Sequence, residues 1–292
     1  MNRLKTKQQD QVLLKPGQEI LLTIKRMGIN GEGIGYYKKK AVFVPGAIVG
    51  EVVEVKIIKV ERGYAEGSVK KIKTASPMRQ TPSCPVYEQC GGCQLQHLTY
   101  EGQLKAKEEI FRGAFDRYTT IKDLPIRPIL GMDEPWAYRN KAQLQVGMHD
   151  GKMVTGLYSP SSHRLVDVSG CPVQHPQTNQ IIDITRQVLE KFGISVYDEK
   201  KRTGVIRTII ARIGFESGEQ QLILVTATKD LAHRAEIVSE LRSRLPDLSS
   251  ISQNVNPKKT SLIFGDQTIH LWGSAHITEK LEQTSYSLSP RT

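Results

Sequence analysis

Residues 28–44 read GINGEGIGYYKKKAVFV. Gly28, Gly31, Gly33 and Gly35 invite a nucleotide-loop reading. A dinucleotide fingerprint needs a helix directly after its glycines, so that the helix N-terminus meets the phosphate. Here Tyr36, Tyr37, Lys38, Lys39 and Lys40 follow, and then the apolar run AVFV. The stretch therefore reads as a β-turn or bulge between two strands. Outward from it, GQEILLTIKRM on one side and AVFVPGAIVGEVVEVKIIKVERGYAEGSVKKIK on the other alternate branched apolar and polar residues in short runs. Turn signals sit at Gly28–Gly35, Pro45–Gly46 and Arg62–Gly63. The spacing predicts a small closed β-barrel of OB-like size over residues 16–74.

The same segment carries most of the charge. Residues 1–75 hold 15 Lys+Arg against 7 Asp+Glu, a balance of +8, within a chain whose net charge is +11. A basic surface concentrated in one small barrel points to a polyanion, most simply nucleic acid. Tyr36, Tyr37, Lys38, Lys39 and Lys40 crowd one tip, where aromatic faces stack on bases and lysines hold phosphates. The bland alternative is a solvated basic face.

The N-terminal stretch MNRLKTKQQDQ has no apolar h-region and does not read as a signal peptide. No run approaches the roughly 18 apolar residues of a membrane span. The expected compartment is the cytoplasm, where disulfides rarely persist.

That bears on the cysteines. Cys84, Cys90 and Cys93 fall within CPVYEQCGGC, and the fourth, Cys171, lies in DVSGCPVQHP. Clustered thiols in a reducing compartment point to a metal or to catalysis rather than to a covalent staple. Gly91 and Gly92 suit the tight turn that lets a C-x2-C pair face one centre. Structural zinc and a [4Fe–4S] cluster both take four cysteine thiolates. Three cysteines on one loop plus a distant fourth favours the cluster, against zinc and against four unrelated buried thiols. His97, four residues past Cys93, reads as a surface or satisfied residue rather than a ligand.

Beyond the cysteines, residues 98–118 predict a helix with Leu104, Phe111, Phe115 and Tyr118 on one stripe. From about residue 126 the pattern is mixed α+β. A hairpin turns at Asp150–Gly151, helices end at Gly193 and Pro246, and SISQNVN, TSLIFG and QTIHLWG read as strands.

The motifs occur in a telling order: a basic barrel, CPVYEQCGGCQLQHLTYEGQLKAKE, YRNKAQ, SGCPVQHPQTN, then SISQNVNPKKTSLIFGDQTIHLWG. This order resembles the iron–sulfur uracil-5 methyltransferases of 23S ribosomal RNA, class I S-adenosylmethionine-dependent enzymes with an N-terminal TRAM domain. The resemblance implies a TRAM RNA-binding barrel over 13–74 and a cluster-bearing α+β RNA-recognition domain over 75–276. It makes Cys84, Cys90, Cys93 and Cys171 the [4Fe–4S] ligands, and it places RNA contacts on the barrel tip and on Arg139 and Lys141 of YRNKAQ. It also implies that the helix over 98–118 packs on a catalytic domain that begins at 277–292.

The fold class expected from this is an OB-like TRAM β barrel followed by an α+β central domain, with the family's C-terminal Rossmann-like S-adenosylmethionine domain absent. The family's chemistry needs a thiolate that adds to uracil carbon 6 and a base that removes the carbon-5 proton. No catalytic or S-adenosylmethionine-binding residue is assigned within this chain. The expected function is the RNA-binding and iron–sulfur portion of such an enzyme, not catalytic alone. Its expected partners are 23S ribosomal RNA and a separate catalytic chain, with no membrane, and the chain itself a monomer. The alternatives are a stand-alone iron–sulfur RNA-binding protein and a fragment of a transfer-RNA uracil-C5 methyltransferase. The methylthiotransferases are excluded by their C-x3-C-x2-C motif and C-terminal TRAM domain.

Overall fold

The computed structural model describes residues 14–121, 124–160, 162 and 164–292. The N-terminal stretch MNRLKTKQQDQ lies outside them. Two compact units emerge among the described residues, one from the stretches up to residue 83 and 93–131 and one from 84–92 and 132–292.

In the first unit, five strands close into a barrel: β1 (Glu19–Met27), β2 (Gly33–Tyr37), β3 (Lys40–Val44), β4 (Val52–Val60) and β5 (Tyr64–Thr74). Their order is β1-β2-β3-β5-β4, and an antiparallel β1·β4 pair completes the ring. Alternation in the sequence becomes alternation in space. Ile20, Leu22 and Ile24 of β1 point inward with Val42, Val44, Val53, Val55, Ile57 and Ala65. Burying each such large apolar side chain stabilises by roughly 1.5–3 kcal/mol. The glycines of GINGEGIG serve this packing. A Cβ at Gly33 would lie 2.6 Å from the Ala47 carbonyl oxygen, and one at Gly35 would lie 2.6 Å from Leu22 Cγ.

Two helices follow in the chain: α1 (Tyr87–Cys90), which falls in the second unit, and α2 (Tyr100–Tyr118), which falls in the first. Thr99 caps α2, its hydroxyl oxygen accepting from the Gly102 amide at 3.2 Å. The predicted stripe is not the buried one. Gly102 and Ala106 are the buried residues of α2. Ala106 packs with Met27, Ile48 and Leu98, and Ile110 joins them. Phe111 is 46% exposed and Tyr118 78% exposed. The small residues win because they let the helix approach the end of β1 closely. The helix thus groups with the barrel rather than with the domain to which the sequence assigned it.

A buried carboxylate ties this unit together. Glu51 is fully buried just before β4. It accepts from the amides of Ile48 (2.9 Å) and Ser76 (3.1 Å), and from Arg79 through Nε (2.6 Å) and Nη2 (2.8 Å). Burial alone would raise its pKa. The Arg79 hydrogen bonds and then the two amides outweigh burial and hold the carboxyl below its usual range. Arg79 Nη2 also donates to the Gly46 carbonyl at 2.7 Å. The segment after the barrel then pairs backward, with the Gln80 amide on the His97 carbonyl and the Thr99 amide on the Met78 carbonyl. His97 is buried, and burial, with the Arg79 charge adding to it, lowers its pKa to about 4. It is therefore neutral at physiological pH, an interior residue rather than a surface one.

The second unit is built on a seven-stranded sheet. Its elements are β6 (Lys141–His149), β7 (Lys152–Tyr158), β8 (Leu165–Asp167), α3 (Pro176–Lys191), β9 (Ile206–Ile213), β10 (Gln220–Thr226), α4 (Arg234–Arg244), β11 (Leu248–Val255) and β12 (Gln267–Gly273). Strand order is β12-β11-β10-β9-β6-β7-β8. Helix α4 carries the chain from β10 to β11, which pair in parallel, as a crossover helix permits. Ile181, Val188 and Leu189 of α3 and Ile237 and Leu241 of α4 share one core with Leu144, Ile209, Leu222, Leu224 and Ile251 of the sheet. The β6–β7 hairpin turns at Asp150 (φ 48°) and Gly151 (φ 76°), where its Asp-Gly pair predicts.

One expectation fails here. TSLIFG is not a strand, because side-chain amides take its backbone groups. Asn256 Nδ2 donates to the carbonyls of Leu262 (2.8 Å) and Ile263 (2.9 Å), and the Gly265 amide donates to Asn254 Oδ1 at 2.7 Å. Residues 277–292 form an ordered hairpin of β13 (Ile277–Leu281) and β14 (Thr284–Leu288). Ile277 is fully buried, Glu219 accepts from the Thr278 amide at 2.6 Å, and Glu279 accepts from the Phe215 amide at 2.7 Å.

Candidate nucleic-acid interface

The β2–β3 hairpin presents the basic tip. Lys38 (φ 45°) and Lys39 (φ 72°) are its two turn residues, and both hold left-handed backbone. A two-residue I′ turn demands this and is normally filled by Asn or Gly. A lysine in that region costs about 1 kcal/mol or more relative to Asn or Gly.

The five predicted residues do not all serve the tip. Tyr36 is 49% exposed, and its hydroxyl oxygen accepts from Arg26 Nε at 3.1 Å. Tyr37 packs against the barrel core, with Lys38 Nζ 5.7 Å from its ring centroid. Lys40 turns away and donates to the carbonyls of Glu61 (2.6 Å) and Arg62 (3.3 Å). The accessible set is thus Tyr36, Lys38 and Lys39, with Arg26 behind them.

Arg139 and Lys141 lie in the other unit. The Arg139 backbone pairs with residues 173–175 while its side chain is exposed. Lys141 Nζ donates to the Thr292 carbonyl at 3.2 Å; burial, then the charge of Arg212, lowers its pKa. Arg212, which sequence reasoning did not single out, is 5% exposed and donates to the carbonyls of Ser289 (3.0 Å) and Thr292. Its only signal in the sequence was a charge inside the apolar run IIARIG.

The cysteines are all partly buried thiols. Cys84, Cys90 and Cys171 belong to the second unit and Cys93 to the first. Cys90 ends the one-turn helix α1, which Gly91 stops in left-handed backbone (φ 67°). A Cβ at Gly91 would strike the Pro160 ring, and one at Gly92 would lie 3.3 Å from Cys90 Sγ. Glycine is required at this turn because of both its angle and its surroundings. Asn179 Nδ2 donates to the Cys171 carbonyl at 2.9 Å, which fixes the loop before α3. The donor types suit a thiolate-bound metal. Among the described residues, no group of three or more His, Cys, Asp or Glu is arranged to hold a metal ion.

Residues 14–70 match the family model of the TRAM domain. The chain is 52% identical over 288 residues to an uncharacterized RNA methyltransferase of Halalkalibacterium halodurans, covering 98% of this chain and 62% of that protein. It is 48% identical to uncharacterized RNA methyltransferases of Bacillus anthracis and Listeria innocua, each over 95% of this chain and 61% and 62% of theirs. The chain therefore spans about 62% of the length of the curated relatives it matches. Among solved structures, it resembles the Pyrococcus abyssi tRNA (uracil-54, C5)-methyltransferase in complex with S-adenosyl-L-homocysteine. That match has a TM-score of 0.68 and 22% identity, over 92% of this chain and 59% of that one.

These matches correct two expectations together. The chain was read as a non-catalytic portion whose S-adenosylmethionine domain is absent. Yet 98% of it aligns with an RNA methyltransferase, and 92% takes the fold of a methyltransferase crystallised with the methyl donor's product. The position of the last residue licenses no such loss. Among the described residues, no helix is long and apolar enough to cross a membrane.

Replacing both Lys38 and Lys39 by Ala is expected to weaken binding of every RNA sequence alike and to lower the slope of log affinity against log salt by roughly 1–2, since each phosphate contact releases counterions. Electrophoretic shifts across a salt series measure both. An unchanged slope would make the tip a solvated face.

Proposed function

We propose that the protein is an S-adenosylmethionine-dependent RNA methyltransferase that acts on carbon 5 of uridine in 23S ribosomal RNA. The observation that carries the reading is the alignment of 98% of this chain, at 52% identity, with an RNA methyltransferase. The TRAM match over 14–70 supports RNA as the substrate class, and the fold shared with a tRNA uracil-C5 methyltransferase supports the atom methylated. The choice of 23S ribosomal RNA rests on the order of the cysteine and YRNKAQ motifs. In this reading residues 13–74 are the RNA-binding barrel and residues 75–276 the RNA-recognition domain. The first unit presents a strained cationic tip to the phosphate backbone, and Arg139 of the second offers an exposed guanidinium.

The same reading gives Cys84, Cys90, Cys93 and Cys171 to a [4Fe–4S] cluster. Its supports are the C-x5-C-x2-C spacing and the left-handed Gly91 turn. Such a cluster, bound by four thiolates, supplies a rigid cross-link and an electron-transfer centre. The chain's own part is to hold four deprotonated sulfurs and to donate backbone N–H groups to them from a glycine turn.

Deleting the gene and mapping C5-methyluridine by mass spectrometry tests the activity. One such residue should vanish from 23S ribosomal RNA. Loss from transfer RNA alone would move the substrate, and no loss anywhere would overturn the reading. The cluster is tested separately by anaerobic purification. About four irons and four acid-labile sulfides per chain are expected, whereas a colourless protein with one zinc would refute the cluster and leave the methylation reading standing.

A further inference from the structure

The second unit carries a cleft of about 570 Å³ on its sheet, away from the cysteine loop in sequence. Gln145 of β6, Tyr158 of β7, Tyr197, Arg207 and Thr208 of β9, and Lys259 line it. Its size falls within the roughly 300–1,000 Å³ of small-ligand sites. A neighbouring hollow of about 480 Å³ shares Tyr197 and Lys259 with this trough.

The chemistry of the walls is specific. Arg207 is held before any ligand arrives. Its Nη1 donates to the carbonyls of Asn256 (2.7 Å) and Lys258 (2.9 Å), and its guanidinium lies 4.8 Å over the Tyr197 ring. Its side chain is only 9% exposed, so the positive charge is fixed and partly dehydrated, which strengthens its pull on an anion. Tyr158 is 43% exposed and offers a second aromatic body. On the floor, Thr208 donates its hydroxyl to Gln145 Oε1 at 3.1 Å, orienting an amide able to read the edge of a base. Lys259 is exposed at the rim. The flanking segments 198–202 and 256–259 read DEKKR and NPKK; Lys258 is paired with Asp266 (2.7 Å) and Lys201 lies 4.0 Å from Asp198, so the positive potential at the mouth comes chiefly from Lys200, Arg202 and Lys259. Two carboxylates oppose an anion: Asp198, which accepts from the Lys200 and Lys201 amides, and Glu199, 58% exposed, whose Oε1 lies 4.0 Å from Arg207 Nη2. They disfavour phosphate on their own side and leave the Lys259 side as the entry for negative charge.

We infer that this trough binds one unstacked nucleotide of a single-stranded RNA, its base against Tyr158 and Tyr197 and its phosphate beside Lys259. Two tyrosines and a pre-set arginine at the bottom of a basic trough are the ingredients of sequence-tolerant stacking on single strands. Duplex RNA cannot use them, because its bases are already stacked. The inference rests on the RNA-binding reading above and adds a second RNA contact, distinct from the phosphate-binding tip.

Fluorescence anisotropy with the full protein tests it, using a labelled pentauridylate, an RNA duplex and unlabelled uridine monophosphate as competitor. Tyr197→Ala is expected to weaken pentauridylate binding by roughly fivefold or more while leaving the duplex unaffected. Tyr197→Phe, which keeps the ring, should bind as wild type. Lys259→Ala guards against a folding defect at Tyr197, since this exposed side chain supports no packing; it should weaken the single strand severalfold and reduce its salt slope by about 1. Competition by uridine monophosphate at concentrations near the pentauridylate affinity would assign the same base-and-phosphate site to free nucleotide. Unchanged single-strand affinity in Tyr197→Ala and Lys259→Ala, with wild-type RNA binding intact, overturns the trough and spares the RNA reading. Failure of the wild type to bind any RNA overturns both.

Discussion

The first unit depends on a single buried charge. Glu51 sits where the barrel's β3–β4 connection meets the segment that leaves β5. Unpaired, a carboxylate there would cost several kcal/mol and would neutralise instead. Four donors converge on it, two of them from Arg79 in a fork. The pair does more than satisfy a charge. It fixes residue 79 against the barrel, and from residue 79 the chain pairs with residues 96–99 and so positions the N-cap of α2. The buried small-residue face of the helix follows from that placement.

Much of this architecture was legible in the sequence, and the reason is periodicity. Alternating branched residues from Gly17 to Thr74 can bury one face only as strands, and glycines without a following helix cannot build a phosphate loop. The Asp-Gly turn at 150–151 was equally explicit. What escaped detection depends on side chains acting on distant backbone. Asn254 and Asn256 dissolve the expected strand at 260–265 by occupying its carbonyls and amides, and no local pattern announces it. The aromatic stripe of α2 was legible, but its packing face was not, because Gly102 and Ala106 carry little hydrophobic signal although close approach selects them. The hairpin at 277–288 was masked by polar residues, since its anchors are Glu219, Glu279 and one buried isoleucine.

The candidate sites divide in the same way. Composition pointed to the barrel tip, because three consecutive lysines after two tyrosines need no fold to be noticed. Only the fold separates Lys38 and Lys39, held at strained turn positions, from Lys40, whose ammonium is taken up by two carbonyls. The trough around Tyr197 and Arg207 had no sequence signature, since β6, β7, β9 and the 256–260 loop contribute to it from more than a hundred residues of chain. Both surfaces combine cations with aromatic faces, one exposed and strained, the other recessed and pre-oriented. The first suits a continuous phosphate backbone, the second a single base removed from its stack.

The measurement closest to the central claim is a double-mutant cycle on Glu51 and Arg79, read by denaturant unfolding and by amide exchange at Ile48 and Ser76. Arg79→Met should destabilise the first unit by about 3–5 kcal/mol, because it leaves the buried Glu51 carboxylate uncompensated, and Glu51→Gln by less, because the half-buried Arg79 keeps contact with water. The double variant should cost much less than the sum, giving a coupling of about 1.5 kcal/mol or more, and both amides should lose protection in Glu51→Gln. Additive single effects, with the Ser76 amide still protected in Glu51→Gln, would show that the barrel and α2 are held together without this pair.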